Sequence, residues 1–169
     1  IGENLHNGQV QTLSQALDAG TTLITVDPRF SVVASKSRHW LAIKPGTDIA
    51  LLLAWMNVLI NEDLYDHEYV ARHCSGLEQL VQHVQPFNPE WAYLETGLEP
   101  EIIRATAREM AAAAPASLVH PGRHTTWYGD DTQRCRAIAI LNALLGSWGR
   151  PGGFYAQEKV DLPEYPVPK

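Results

Sequence analysis

The chain has 169 residues, of which 45% are hydrophobic and 19% charged, so it is typical of one globular domain and unlike a disordered protein. Its net charge of −6 argues against a nucleic-acid binder, because phosphate contacts require a concentrated basic surface. The longest apolar run, interrupted by Asn57, ends at Ile60 and is shorter than the roughly 18 residues that a membrane span requires.

The predicted elements begin with a helix and a short strand. Residues 9–19 carry apolar side chains at helical spacing, and Gly20 follows at the position expected for a helix C-terminus. Residues 21–26 form a short segment rich in β-branched side chains, which predicts a buried strand. Pro28 ends that strand.

A second strand and a long apolar helix come next. The strand is expected over residues 40–43 and is closed by Pro45-Gly46. The helix extends to Ile60, with Thr47 or Asp48 as its N-cap. Because this helix is apolar on nearly every side, it is predicted to be covered on most of its faces.

The second half of the chain is predicted to be mainly helical, with a break at Pro86 and Pro89 and a third short strand at residues 117–119. The predicted helices cover residues 67–73, 77–84, 100–114 and 131–145. Residues 1–154 are predicted to form the domain, and the proline-rich residues 155–169 a linker. Strands that alternate with helices indicate an α/β fold, a three-layer Rossmann-like arrangement whose mostly parallel sheet has helices on both faces.

Asp27 is the first candidate site residue. In open parallel sheets, ligands bind beyond the carboxyl ends of the strands, which is where Asp27 lies, 25 residues after Gly2. An acidic residue about 20 residues past a glycine turn reads the ribose in dinucleotide-binding folds, and a carboxylate there is also able to accept the N1 and N2 hydrogens of guanine. The alternative is that Asp27-Pro28 only begins a turn.

Two other segments contain residue types suited to ligand binding. Pro45-Gly46-Thr47-Asp48 opens a helix, whose first NH groups attract anions and where Gly46 allows close approach to the backbone. The alternative is a capped helix and nothing more. Gly122-Arg123-His124 follows the third predicted strand, and its guanidinium and imidazole suit anion binding and proton transfer. The alternative there is an exposed basic loop.

Neither the cysteines nor the histidines have the spacing of a metal site. Cys74 and Cys135 lie far apart and outside any CxxC pair, so both are predicted to be buried thiols. His67 and His73 do not share a helical face. No metal site is predicted in this chain, and the lack of a GxGxxG or Walker A motif argues against NAD and ATP.

Taken together and in order, four segments resemble the dimethyl-sulfoxide-reductase family of molybdopterin oxidoreductases. They are IKPGTD (43–48), LINEDLYD (59–66), FNPEWA (87–92) and LNALLGSWGRPGG (141–153). Within the family, residues 120–134 look most like the catalytic subunits of polysulfide and thiosulfate reductases. The resemblance favours a functional role for Asp27 and Gly46 over the structural alternatives.

The resemblance implies that residues 1–154 are one of two α/β domains that each bind one guanine dinucleotide of a molybdenum bis(molybdopterin guanine dinucleotide), or bis-MGD. The implied cofactor-binding residues are Gly2 and Asn4 along the dinucleotide, Val26, Asp27, Pro28, Arg29 and Phe30 in the guanosine pocket, Gly46, Thr47 and Asp48 completing that pocket, and Gly122 near the pterin. Arg123 and His124 would act at the substrate funnel, where Arg123 would attract an anionic sulfur compound.

The resemblance also implies a larger parent. Because the chain begins with Ile1 and lacks the family's cysteine cluster and molybdenum ligand, we expect a fragment that is inactive alone. The parent would carry a 4Fe–4S cluster, reduce polysulfide or thiosulfate in anaerobic respiration, and work with an iron–sulfur electron-transfer subunit and a membrane anchor on the periplasmic or outer face of the membrane. The isolated chain is expected to self-associate. The alternatives are a stand-alone nucleotide-binding or regulatory module and a purely structural docking domain.

Overall fold

The computed structural model describes residues 7–120 and 131–155, which form a mixed α/β structure. The elements are α1 (Asn7–Asp18), β1 (Ile24–Val26), β2 (His39–Leu41), α2 (Asp48–Asn61), α3 (His67–His73), α4 (Leu77–Val84), α5 (Pro89–Thr96), α6 (Pro100–Ala112) and α7 (Asp131–Leu144), with a 3-10 helix at Ala34–Lys36 between the strands. The predicted α/β fold class is confirmed. Within these ranges, no helix combines the length and apolar character needed to cross a membrane.

The two strands pair in parallel, as predicted. Val26 pairs with Leu41 at the carboxyl end of the sheet, and the Asp27 amide extends the ladder by donating to the Leu41 carbonyl at 3.2 Å. The 3-10 helix lies in the crossover that joins the strands. Both strands are shorter than the sequence predicts: β1 keeps the last three of residues 21–26, whereas β2 begins one residue before the predicted range of 40–43 and ends two residues earlier.

The third predicted strand, residues 117–119, is not a strand in the part of the chain that the structure describes. Its place is taken by a side-chain contact from α7. The buried Asn142 accepts the Val119 amide through Oδ1 at 2.8 Å and donates to the Val119 carbonyl through Nδ2 at 2.9 Å. One amide side chain therefore satisfies the two polar groups that a neighbouring strand would otherwise pair.

The hydrophobic core is built around α2, which contacts α4, α5, α6 and α7. Nine of its residues are buried, in agreement with the prediction that this helix is covered on most faces. The buried Trp55 donates its indole hydrogen to Thr106 Oγ1 of α6 at 2.9 Å. Asn57 Nδ2 donates to the Val84 carbonyl at the end of α4 at 2.8 Å. These contacts satisfy buried polar groups while the helices pack around α2.

Helix α5 corrects the predicted break at Pro89. Asn88 caps this helix by accepting the Trp91 amide through Oδ1 at 2.8 Å, and Pro89 occupies the first turn. Proline is favoured there because the first amides of a helix have no intrahelical partner. Gly97, with φ of 77°, ends the helix by donating its amide to the Tyr93 carbonyl. Asn88 and Pro89 therefore begin helix α5 and do not interrupt the helical structure.

Candidate functional site

Two of the predicted binding segments leave the sheet at one edge. Residues 27–30 follow β1, and residues 45–48 follow β2 and begin α2. Since Val26 and Leu41 pair in parallel, the carboxyl ends of both strands meet at this edge. The segments that contain Asp27 and Gly46 therefore both follow strands that end at the same edge of the sheet, where open parallel sheets bind ligands.

Asp27 is half-buried and is held by three hydrogen bonds. Its amide donates to Leu41, its carbonyl accepts the Trp40 indole hydrogen at 2.8 Å, and its carboxylate Oδ1 accepts the Arg29 amide at 2.8 Å. The last of these hydrogen bonds closes a turn at Asp27-Pro28, which the sequence analysis gave as the alternative to a ligand-binding role. A carboxylate has about four acceptor positions, so the turn orients Asp27 without exhausting its capacity to bind a ligand.

Aromatic side chains lie beside Asp27. Phe30 is 60% exposed and Trp40 is 39% exposed, and their ring centroids are 4.8 Å apart in an edge-to-face arrangement. Pro28 and Arg29 are also exposed, whereas Val26 is half-buried. Sequence reasoning missed Trp40, because the direction of its indole N–H depends on the pairing of β2 with β1.

Gly46 occupies a tight turn before α2. The Lys44 carbonyl accepts the Thr47 amide at 3.3 Å across Pro45 and Gly46, and Gly46 has φ of 83°. These are the features of a type II turn, which requires a left-handed residue at its third position. A Cβ built on Gly46 would have no neighbour within 4 Å. The backbone at Gly46 is consequently open to close approach by a ligand.

Helix α5, which the sequence prediction missed, supports this turn. The Lys44 amide donates to the Thr96 carbonyl at 3.1 Å, and Lys44 Nζ donates to the Leu94 carbonyl at 3.4 Å. Lys44 precedes Gly46 by two residues. The C-terminal end of α5 therefore fixes the position from which the Gly46 turn begins.

Thr47 stands at the N-cap position of α2 but makes no capping hydrogen bond with its side chain. Its hydroxyl donates instead to the Lys44 carbonyl at 2.8 Å. Asp48 begins the helix, and its Oδ2 lies 3.9 Å from Arg134 Nε of α7. This contact offsets a carboxylate charge that would otherwise repel an anion from the start of α2. It also sets the first turn of α7 beside the start of α2.

The remaining predicted site residues, Gly2, Asn4, Gly122, Arg123 and His124, lie outside the described residues. Residues 117–119 are anchored to Asn142 of α7 at Val119, and to the segment after α7 through a hydrogen bond from Ser147 Oγ to the Ser117 carbonyl. Residues 117–119, which were predicted to form the strand before these three residues, are held by side chains and not by a neighbouring strand.

A separate cleft of about 360 Å³ lies where α3 meets the end of α7. Its lining includes Asp66, Tyr69, Arg72, His73, Trp148 and Arg150, none of which was predicted as a site residue. Asp66 accepts the Tyr69 amide, the larger cause of its lowered carboxyl pKa, and it also pairs with Arg150. The Asp66–Arg150 pair therefore joins the N-cap of α3 to the segment that follows α7.

The described residues contain no group of three or more histidine, cysteine or acidic side chains placed to hold a metal ion. Cys74 is exposed and Cys135 is partly exposed, so the prediction that both thiols are buried is wrong. Cys74 lies in the short segment between α3 and α4.

The chain is similar in sequence and in structure to known proteins. A family model described as molybdopterin oxidoreductase matches residues 1–159. The chain is 39% identical over 166 residues to the thiosulfate reductase molybdopterin-containing subunit of Salmonella typhimurium, covering 96% of this chain and 22% of that protein. It is 32% identical over 183 residues to an arsenate respiratory reductase molybdopterin-containing subunit of Shewanella, covering 94% and 21%.

Among solved structures, acetylene hydratase from Pelobacter acetylenicus matches 90% of this chain with a TM-score of 0.85 and 35% identity. The match covers 22% of the acetylene hydratase chain. The present chain thus spans about a fifth of the length of the proteins to which it is similar.

Proposed function

We propose that this chain, which belongs to the molybdopterin oxidoreductase family, binds one guanine dinucleotide arm of a bis-MGD cofactor. The members of that family are oxidoreductases, and membership implies a molybdenum–pterin cofactor. The observation that supports the proposal is that the segments containing Asp27 and Gly46 both follow strands that end at the same edge of the parallel sheet. When bound, the group would supply two-electron redox chemistry at molybdenum.

The hydrogen-bonding groups at the sheet edge fit a guanosine. The half-buried Asp27 keeps acceptor capacity after its bond to the Arg29 amide, which is sufficient for the adjacent N1 and N2 hydrogens of guanine. Hydrogen bonds to a charged acceptor contribute about 1.5–3 kcal/mol each in protein interiors. Asp27 would therefore select guanine over adenine, which presents no such pair of donors.

The start of α2 fits the ribose and phosphate part of the same ligand. Gly46 leaves open space on the side where a side chain would project. The Thr47 hydroxyl is engaged with Lys44, so it does not cap the first amides of the helix. Free amides at a helix N-terminus favour anions, and Arg134 offsets the nearby Asp48 charge.

We also propose that Arg123 and His124 act at the substrate funnel, with Gly122 near the pterin and Gly2 and Asn4 along the dinucleotide. Arg123 would attract an anionic sulfur compound and stabilise the charge that develops as an S–S bond breaks. Similarity to a thiosulfate reductase subunit supports polysulfide or thiosulfate as the substrate of the whole enzyme.

The whole enzyme is proposed to contain further domains, a 4Fe–4S cluster, an iron–sulfur electron-transfer subunit and a membrane anchor, and to act in anaerobic respiration on the periplasmic or outer face of the membrane. The present chain would supply only half of the cofactor site, so it should be inactive alone. Exposed Phe30, Val32 and Leu94 support self-association of the isolated chain. A single monomer peak in size-exclusion chromatography at high concentration would contradict that expectation.

A titration of the isotope-labelled chain with GMP tests the guanine site. We expect amide chemical-shift changes at Asp27 and Gly46 that AMP does not reproduce. Asp27→Ala should abolish the GMP response while leaving the circular dichroism spectrum unchanged, because Asp27 lies at the exposed sheet edge and not in the core. Equal responses of the wild type and Asp27→Ala, or no response up to the solubility limit of GMP, would remove the guanine-binding role.

A further inference from the structure

Trp40 connects the two strands at the proposed guanosine site. It lies in the middle of β2, paired with Thr25 of β1. Its indole N–H donates to the Asp27 carbonyl at 2.8 Å, and its neighbour Leu41 accepts the Asp27 amide at 3.2 Å. Both backbone polar groups of Asp27 are therefore held by consecutive residues of β2.

The same strand leads directly to the Gly46 turn, since β2 ends at Leu41 and α2 begins at Asp48. Strand β2 thus holds the Asp27 backbone through hydrogen bonds, and the chain continues from its end into the Gly46 turn. We infer that Trp40 is a positioning residue of the guanosine site, which sets the Asp27 carboxylate at the correct distance from the Gly46 turn. This inference rests on the proposed function.

The loop that Trp40 restrains is exposed. Pro28, Arg29 and Phe30 all lie on the surface, and the Trp40 ring packs edge-to-face against Phe30. A paired contact with the N1 and N2 hydrogens of guanine requires both carboxylate oxygens in one plane with the base. Loss of the Trp40 hydrogen bond would let the Asp27 backbone shift, and a displaced carboxylate would keep one of the two contacts more easily than both.

GMP and IMP differ in the N2 amino group alone, so the ratio of their dissociation constants measures how well Asp27 is placed. Trp40→Phe keeps an aromatic ring next to Phe30 but removes the indole N–H. We expect this variant to bind GMP about fivefold to tenfold more weakly, the loss typical of one hydrogen bond. Its affinity for IMP should change less, so its preference for GMP over IMP should fall.

Trp55→Phe is the matched control. It also removes one indole hydrogen bond, from the buried Trp55 to Thr106, but it lies in the core between α2 and α6. This variant should lower the melting temperature and leave the GMP-to-IMP preference at the wild-type value. A general loss of stability would lower the preference in both variants, whereas a positioning role lowers it in Trp40→Phe alone.

Trp40→His provides a rescue. Imidazole Nε2 has the same place in its five-membered ring as indole Nε1, and it carries a hydrogen in one neutral tautomer. Above the imidazole pKa, this variant should recover part of the preference lost in Trp40→Phe. Trp40 is partly exposed, so both variants should fold, and unchanged amide shifts in α2 would verify that.

The outcomes separate the two proposals. If wild type prefers GMP, Asp27→Ala abolishes the preference and Trp40→Phe equals wild type, the positioning role of Trp40 is wrong and the guanine site stands. If Asp27→Ala binds GMP as wild type does, the proposed function itself fails. A lowered preference in Trp40→Phe, with partial recovery in Trp40→His, supports both.

Discussion

Side chains of the same type make different contacts at the sheet edge and among the helices. Trp55 and Trp40 each donate an indole hydrogen bond, but Trp55 joins two buried helices and Trp40 restrains an exposed loop. Asp66 and Asp27 each accept a backbone amide a few residues ahead, but Asp66 also pairs with Arg150 across the fold. In these examples the polar groups of the helical region are bound to other protein groups, whereas Asp27 keeps acceptor capacity for a ligand.

The largest expected effect is in the core. Leu59→Ala removes a fully buried side chain of α2, and we expect a loss of about 3 kcal/mol in the free energy of unfolding because a cavity remains. Leu94→Ala is the matched control on α5, where the side chain is 71% exposed and the expected change is below about 0.5 kcal/mol. Urea denaturation measures both. Equal losses would contradict the assignment of stability to the helices around α2.

A second, smaller effect should come from Asn142. In Asn142→Leu the Val119 amide and carbonyl lose their partner, and we expect a loss of about 2 kcal/mol, the cost of leaving such groups unsatisfied. The exposed Asn61, which accepts a hydrogen bond from Gln85, serves as the control in Asn61→Leu, with little expected change. Hydrogen exchange at the Val119 amide should accelerate in Asn142→Leu. An unchanged exchange rate would show that this contact does not protect the segment.

Asn142 also shows where sequence reasoning stops. The β-branched and apolar residues 21–26 predicted β1, and the apolar run before Ile60 predicted α2, since period and composition report local structure. The apolar residues 117–119 predicted a strand for the same reason, but a buried amide from α7 provides their hydrogen bonds. The tertiary fold decides which group forms hydrogen bonds with the backbone of a segment. The local sequence therefore does not reveal that partner.

The candidate site was predictable to the same extent. Asp27 and Gly46 could be proposed as site residues because the end of a strand and the start of a helix carry recognisable residue types. Trp40 and the support from α5 at Lys44 were missed, because both act through hydrogen bonds between segments. The Asn88-Pro89 pair is ambiguous by itself, since proline both ends and begins helices. In the part of the chain that the structure describes, the segments that contain Asp27 and Gly46 follow strands that end at the same edge of the sheet.

A third stability effect, smaller than those at Leu59 and Asn142, is expected at Asp66, and its pH dependence adds a test of charge to the comparison of the two regions. Asp66→Asn keeps an N-cap acceptor for the Tyr69 amide but removes the charge that pairs with Arg150. Asp66 is only partly buried, so screening by solvent limits the expected loss at neutral pH to about 1 kcal/mol.

The sign of the pH effect follows from the direction of the pKa shift. The Tyr69 amide, and after it Arg150, hold the folded-state pKa of Asp66 below the unfolded value of 3.8. Its contribution is therefore complete well above the unfolded pKa and is lost as the pH falls through the lower folded pKa. Wild type and Asp66→Asn should differ at neutral pH and converge in acid, as measured by urea denaturation across pH. Glu62→Gln, which removes a surface pair with Arg108, should give a smaller difference. A wild-type advantage for Asp66 that persists in strong acid would mean that the side chain acts through its shape and hydrogen bonds and not through its charge.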